Sequence, residues 1–275
     1  MTDETPGTMT SEELAEVGLG LTVDGAVATL TLDRPEVRNA QTPAMWLTLA
    51  RVGEQLLSDP AVRVVVVRGA GAGFSAGLDR AVLMPKPGAG ESVHDLLALD
   101  DAGMADRIDA YQRGFTWLRD PRIVSIAAVH GHAVGAGFQL ALSCDLRVLA
   151  QGASLSMKEA ALGLVPDLTG TLPLVEAVGY SRALELCTTA RSVDAEEALR
   201  LGLALDVVPA EGLEAAVQAL VAALTATPAA NARAVKAILR AAVPGDLDTQ
   251  RRTEREHQVG RFREMAALMA QAPRG

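Results

Sequence analysis

The chain has 275 residues, 49% of them hydrophobic, and a formal charge of −9. That length can bury about three quarters of the unfolded surface, and with only 3% aromatics the core must be built from Ala, Val and Leu. The acidic balance without a basic run argues against a nucleic-acid binder, and Cys144 and Cys187, which form no C-x-x-C pair, argue against zinc or a disulfide framework.

Residues 1–16 are acidic and polar and lack the apolar run of a secretory signal, so a disordered leader and a cytoplasmic location are expected. Residues 18–23 and 26–32 alternate around Asp24-Gly25, which predicts a hairpin with a type I′ turn. Thr42 followed by Pro43 predicts a helix start, carried by apolar residues to Asp59-Pro60. A buried strand at 62–68 then runs into the glycine-bracketed turn Ala76-Gly77-Leu78-Asp79. Residues 84–90, with two prolines and two glycines, read as a surface loop, and a helix through Tyr111 and Trp117 leads to a second buried strand at 123–129.

That strand enters a second glycine turn, Gly135-Ala136-Gly137, which opens directly into a short helix at 138–142. Residues 125–144 have the length of a membrane span, but His130, His132, Gln139 and the glycines make strand, turn and buried helix the better reading, so no membrane partner is expected. A strand at 145–149 follows; after Gly170 the pattern turns helical apart from a strand at 204–208. Leu213, Val217, Leu220, Val221 and Leu224 recur at helical spacing, as do apolar residues in 231–239 and 250–269. The division expected is a leader at 1–16, a core at 17–200 and a helical region at 201–275.

Two strand-to-glycine turns can aim two backbone N–H groups at one oxygen. Losing one such donor from an oxyanion site costs about 2.7–4 kcal/mol of transition-state stabilisation. A helix N-terminus at the second turn adds orphan N–H groups and a partial positive charge. The same stretch also fits two other patterns. Gly73-Phe74-Ser75-Ala76-Gly77 matches the nucleophile elbow of serine hydrolases, although residues 69–72 separate it from the strand. Gly71 to Ala76 fits a loose dinucleotide fingerprint, without the packed helix a pyrophosphate requires.

Acid–base candidates lie downstream. Glu159 sits in an otherwise apolar stretch, and Asp167 follows Pro166. Gly163 and Pro166 rule out one continuous helical face, so the two carboxylates must converge through a turn. A carboxylate in apolar surroundings has a raised pKa, which suits proton transfer. For Asp167, capping a helix at 168–177 is an equally good reading. His130 and His132 point the same way from a strand end, but lack the further ligands of a metal site.

Five motifs in order resemble the enoyl-CoA hydratase/isomerase (crotonase) superfamily over about residues 20–239. They are Leu32-Asp33-Arg34-Pro35-Glu36-Val37-Arg38-Asn39-Ala40; Phe74-Ser75-Ala76-Gly77-Leu78-Asp79; Ala127-Ala128-Val129-His130-Gly131 through Gly135-Ala136-Gly137 to Cys144-Asp145-Leu146; Gly163-Leu164-Val165-Pro166-Asp167; and Ser192 through Ala195-Glu196-Glu197-Ala198 to Gly202-Leu203. The resemblance implies an α/β fold, the ClpP/crotonase-type spiral of β-β-α units with a C-terminal helical trimerisation region. It implies a homotrimer or hexamer in acyl-CoA or fatty acid metabolism, with an acyl-CoA thioester as substrate and no cofactor beyond that coenzyme.

Carried over by position, the resemblance makes the N–H groups of Leu78 and Ala136 the oxyanion hole and Glu159 the acid/base, with Asp167 and Gln139 as further catalytic positions. Arg38, Ala76, Asp79, Arg80 and Gly135 become contacts for coenzyme and substrate. Two-glutamate hydratases carry a carboxylate where this chain has Gln139, and an amide can orient water but cannot exchange a proton with it. The pair Glu159 and Asp167 resembles that of dienoyl-CoA isomerases. Double-bond isomerisation is therefore the first expectation, with hydration of a 2-enoyl-CoA and non-catalytic acyl-CoA binding as alternatives. The C-terminal residues 269–274 lack the Lys-Arg pair and aromatic that family members often place near the coenzyme.

Overall fold

The computed structural model describes residues 8–83 and 91–243; the expected loop at 84–90, the helical pattern at 250–269 and the C-terminal residues lie outside them. Part of the expected leader is ordered: residues 11–16 form α1 (Ser11–Glu16). A capping box fixes it, with Glu13 N–H donating to Thr10 Oγ1 at 3.2 Å and Thr10 N–H donating to Glu13 Oε2 at 2.7 Å, while Leu14 is buried.

β1 (Leu19–Asp24) and β2 (Val27–Leu32) form the hairpin. Asp24 pairs with Val27, so the two-residue turn is Gly25-Ala26, with positive φ at Gly25 alone. Glycine in the first central position marks a II′ turn, which corrects the expected I′ turn. α2 (Pro43–Ser58) starts where Thr42 and Pro43 predict, Met45 N–H donating to Thr42 Oγ1 at 3.3 Å. β3 (Val64–Gly69) leads through the first glycine turn to α3 (Arg80–Leu83); α4 (Val93–Leu97) and α5 (Asp101–Thr116) follow.

From β4 (Val124–Val129) the chain repeats one unit. A strand in the large sheet passes to a strand in a small sheet and then to a helix: β4, β5 (His132–Val134), α6 (Ala136–Ser143); then β6 (Leu146–Ala150), β7 (Ser154–Ser156), a 3₁₀ turn at Glu159–Leu162 and α7 (Thr171–Thr189). β8 (Ser192–Asp194), α8 (Ala195–Arg200), β9 (Asp206–Val208), α9 (Leu213–Ala226) and α10 (Ala229–Ala242) complete the described chain. The large sheet runs β1-β2-β3-β4-β6-β9 and is parallel except for the hairpin; the small one runs β5-β7-β8. This is the β-β-α spiral. Among the described residues no single helix is long and apolar enough to cross a membrane, and 125–144 is strand, turn and buried helix.

Both faces of the large sheet are covered, which explains the unbroken valine run of β3. Val65 and Val67 face the main core, whereas Val64 and Val66 join Ile126, Val148, Val217 and Val221 in a second cluster beneath α9. Fully burying one such side chain stabilises by about 1.5–3 kcal/mol. Because β9 pairs with β6 and α9 covers this face, the compositional change near residue 200 marks a change of element within one sheet.

α6 positions the site. All eight of its residues are buried. The half-buried Arg147 donates from Nη1 to Cys144 O at 2.6 Å and from Nε to Leu203 O at 2.6 Å, satisfying a carbonyl at the α6 C-terminus and tying it to the approach to β9. At the far side Lys236 of α10 is also buried, donating to Asp145 Oδ2 at 2.7 Å and Ile123 O at 2.8 Å.

Candidate active site

The two glycine turns meet. Residues 75–78 run as an extended segment between two partners. On one side Gln41 N–H donates to Gly77 O at 2.7 Å and Asp79 N–H donates to Gln41 O at 2.8 Å, making a parallel bridge between Gln41 and Leu78. On the other, Ser75 N–H donates to His132 O at 2.9 Å and Val134 N–H donates to Ser75 O at 3.0 Å. Since Gln41 takes the groups flanking Leu78, the Leu78 N–H points the opposite way, toward the segment that enters α6. A Cβ built on Gly77 would lie 2.4 Å from Val134 O and 3.4 Å from Ala136 N, so the turns touch and a side chain at 77 would part them. Gly77 has φ +84, and Gly135 has φ 50 with ψ −119, both conformations that need glycine. Ala136 is the first residue of α6, where the N–H has no acceptor within the helix. The Leu78 N–H is thus left outside the bridge to Gln41, and the Ala136 N–H outside the hydrogen-bond ladder of α6.

Ser75 braces this arrangement. It is fully buried; its Oγ donates to Asn39 O at 2.7 Å and accepts from Gln41 Nε2 at 3.1 Å and Gly77 N at 3.2 Å. No histidine ring bonds its hydroxyl among the described residues, so the nucleophile-elbow reading fails. The dinucleotide reading fails as well, because α3 starts only at Arg80 and the intervening turn faces α6.

Asn39 and Gln41, which sequence reasoning gave no role, hold the first turn. Asn39, fully buried at φ 54, donates to Ala70 O at 2.8 Å and Gly73 O at 2.9 Å and accepts from Arg34 N at 2.9 Å. Gln41 Oε1 accepts from Trp46 Nε1 at 2.8 Å. The only local signal was Asn39 itself, a residue type that tolerates the left-handed region.

Glu159 lies against the second turn: a Cβ built on Gly135 would sit 3.3 Å from its Oε1. Oε1 accepts from Gln139 Nε2 at 2.7 Å, whereas Oε2 is buried with no hydrogen-bond partner among the described residues. Burial pushes the Glu159 carboxyl above the usual range, the Gln139 hydrogen bond opposes that rise and the charge of Asp167 adds to it. The 3₁₀ turn and Gly163 at φ 73 break the chain between the two carboxylates.

Asp167 does not cap a helix, since α7 begins at Thr171 with Gly170 as its N-cap. Its carbonyl accepts from Gln112 Nε2 of α5 at 2.7 Å. Desolvation raises its carboxyl too, while the residue itself remains open to water. Gln139 spends its carbonyl oxygen on Leu168 N at 2.9 Å and Gly170 N at 3.3 Å. Its amide thus bridges Glu159 to the turn that follows Asp167, and its oxygen is not free to hold water.

The expected coenzyme contacts divide. Arg38 and Arg80 are exposed at either end of the first turn, and neither guanidinium has a hydrogen bond or ion pair among the described residues. The Asp79 carboxylate accepts from Arg34 Nη1 at 2.9 Å and Ala81 N at 3.0 Å. Ala76 N–H is likewise spent on Arg38 O at 2.9 Å, and Gly135 N–H on Ser156 O at 2.8 Å. Both histidines pack on the 71–73 loop: His130 Nε2 lies 2.9 Å from Gly71 O, and a Cβ on Gly73 would meet the His132 ring.

The family model described as enoyl-CoA hydratase/isomerase matches residues 22–267. A Thermobifida fusca protein solved in complex with acetoacetyl-CoA is 56% identical, with a TM-score of 0.89 over 93% of this chain and 98% of that one. A Mycobacterium tuberculosis protein named as a probable enoyl-CoA hydratase is 38% identical over 232 residues, 84% of each chain. A mitochondrial delta(3,5)-delta(2,4)-dienoyl-CoA isomerase of Rattus norvegicus is 37% identical over 184 residues, 65% of this chain and 54% of that one.

Proposed function

This chain belongs to the enoyl-CoA hydratase/isomerase family, and within it we propose an acyl-CoA isomerase that shifts a double bond with Glu159 as its single acid/base. The observation that carries the reading is the buried Oε2 of Glu159, unpaired beside a turn that offers two N–H groups, with an amide where a second carboxylate would stand.

In this reading the thioester oxygen of an enoyl- or dienoyl-CoA sits between Leu78 N–H and Ala136 N–H. Glu159 Oε2 removes a proton from the substrate carbon, the C–H electrons pass into the conjugated system, and negative charge collects on the thioester oxygen. The same oxygen of Glu159 returns the proton to a different carbon as the charge flows back, so one base completes the cycle. An oxyanion held by fixed donors needs no reorganisation as it forms. Asp167, whose charge adds to the rise of the Glu159 carboxyl, assists proton return in this reading. Arg38 and Arg80, whose guanidinium groups have no hydrogen bond or ion pair among the described residues, suit the coenzyme phosphates.

The coenzyme arrives as part of the substrate, and no other cofactor enters this scheme. We further place the protein in the cytoplasm as a homotrimer or a dimer of trimers. The exposed Leu172, Val175, Tyr180 and Leu184 of α7 would suit a subunit contact.

Incubation with 2-enoyl-, 3-enoyl- and 3,5-dienoyl-CoA thioesters, with products resolved by mass and chromatography, tests the reaction. Isomers of unchanged mass are expected. A product heavier by one water would establish hydration, the second reading and the activity in the name of the Mycobacterium tuberculosis relative. Thioester binding without any product would establish a non-catalytic acyl-CoA carrier.

A further inference from the structure

We propose that Gln139 is a positioning residue that assigns the acid proton of Glu159 to Oε2 and aims that oxygen at the substrate. The inference rests on Glu159 being the acid/base and concerns how its two oxygens are made unequal.

The argument begins with the orientation of the amide. Two backbone N–H groups, Leu168 at 2.9 Å and Gly170 at 3.3 Å, point at Gln139 Oε1. Turning the amide over would set its NH₂ against both of them in a buried site, leaving donors facing donors. The carbonyl oxygen therefore belongs to the 168–170 turn and the NH₂ belongs to Glu159, 2.7 Å away. An amide NH₂ only donates, so Glu159 Oε1 must act as an acceptor whether the carboxyl is charged or neutral. When Glu159 carries a proton, that proton sits on Oε2, the oxygen without a protein partner.

The surroundings hold this arrangement on every side. Gln139 lies in the wholly buried α6, with its N–H donating to Gly135 O at 2.9 Å. A Cβ built on Gly170 would be 2.7 Å from Gln139 Cγ, so the side chain is pressed against the turn whose N–H groups it accepts. On the other flank Gly135 leaves room for Glu159 Oε1. A glutamate at 139 could keep the bonds from Leu168 and Gly170 with one oxygen, but would set its other oxygen against Glu159. Two carboxyls in hydrogen-bond contact cannot both ionise readily, so they would share one proton.

Gln139→Glu and Gln139→Met test this through the pH profile of turnover. In Gln139→Glu the acid limb of kcat is expected to move up by more than one pH unit, with KM changed less than about threefold. Gln139→Met keeps the side-chain length without the donor; it is expected to lower kcat about tenfold or more and also to move the acid limb up, because the charged form of Glu159 loses a hydrogen bond. An acid limb that coincides with the wild type in either folded variant would overturn the proposal, since a merely structural role would lower the amount of folded protein without moving the limb. Turnover that survives in Glu159→Gln would instead overturn the underlying reading of Glu159.

Discussion

Replacing Glu159 by glutamine is expected to reduce turnover by at least 10²-fold, the lower end of what a positioned acid/base contributes, while leaving the protein folded. The amide has the shape of the carboxyl, and its oxygen can still accept from Gln139 Nε2. What it cannot do is receive a proton from carbon and give it back. Stability should respond with a definite sign. Burial raises the Glu159 carboxyl in the folded protein, so the folded state binds a proton more tightly than the unfolded chain does. That contribution is fully present below the ordinary carboxylate range and is lost as pH rises through the raised value. Above that raised value the wild type carries a buried charge whose second oxygen has no partner among the described residues, and Glu159→Gln removes it. Thermal melts should show the variant at least as stable as the wild type near neutrality, with its advantage shrinking toward pH 4. An advantage that grows on acidification would mean that Glu159 is stabilised as the anion.

The second large effect is expected at Gly77. Alanine there would carry a Cβ at φ +84, within 2.4 Å of Val134 O. The left-handed conformation alone costs about 1–2 kcal/mol. The contact is relieved only if residues 75–78 move away from the segment entering α6, and that movement redirects the Leu78 N–H. A displaced donor should lower kcat by roughly 10²–10³-fold, far beyond what partial unfolding removes at a temperature where the variant is folded. Gly25→Ala is the matched control, since Gly25 also has positive φ (+54) but nothing lies within 4 Å of its Cβ position. It should lose stability and keep its kcat. Equal loss of kcat in both variants, each assayed below its own Tm, would detach the first turn from catalysis.

Much of the frame was legible because it is local. Thr42-Pro43 announced α2, the valine run announced a strand buried on both faces, and the apolar spacing from Leu213 to Leu224 announced the helix that covers the second face. The two glycine turns stood out because glycine is favoured where φ is positive and needed where two backbones touch. Other features depend on partners far along the chain. Ser75 matched a catalytic pattern, and only its bonds to Asn39, Gln41 and Gly77 show it to be a brace. The bond that the Asp79 carboxylate accepts from Arg34, 45 positions away, has no signal in the residues around it. Gln139 was legible as a departure from a carboxylate, but its function depends on where Leu168 and Gly170 present their N–H groups. The leader helix is the opposite case, because its capping box was written in Thr10 and Glu13 and was hidden by the polar composition around them.

Solvent deuterium uptake is the most direct test of the central claim, that Glu159 moves a proton between carbon atoms of a thioester held by two backbone N–H groups. Wild type and Glu159→Gln would be incubated in D₂O with the enoyl-CoA that binds best, and deuterium at the carbons conjugated to the thioester would be read by mass spectrometry. Uptake by the wild type, with at least 10²-fold slower uptake in Glu159→Gln at equal thioester binding, is the predicted result. Equal uptake in the two proteins would contradict the claim.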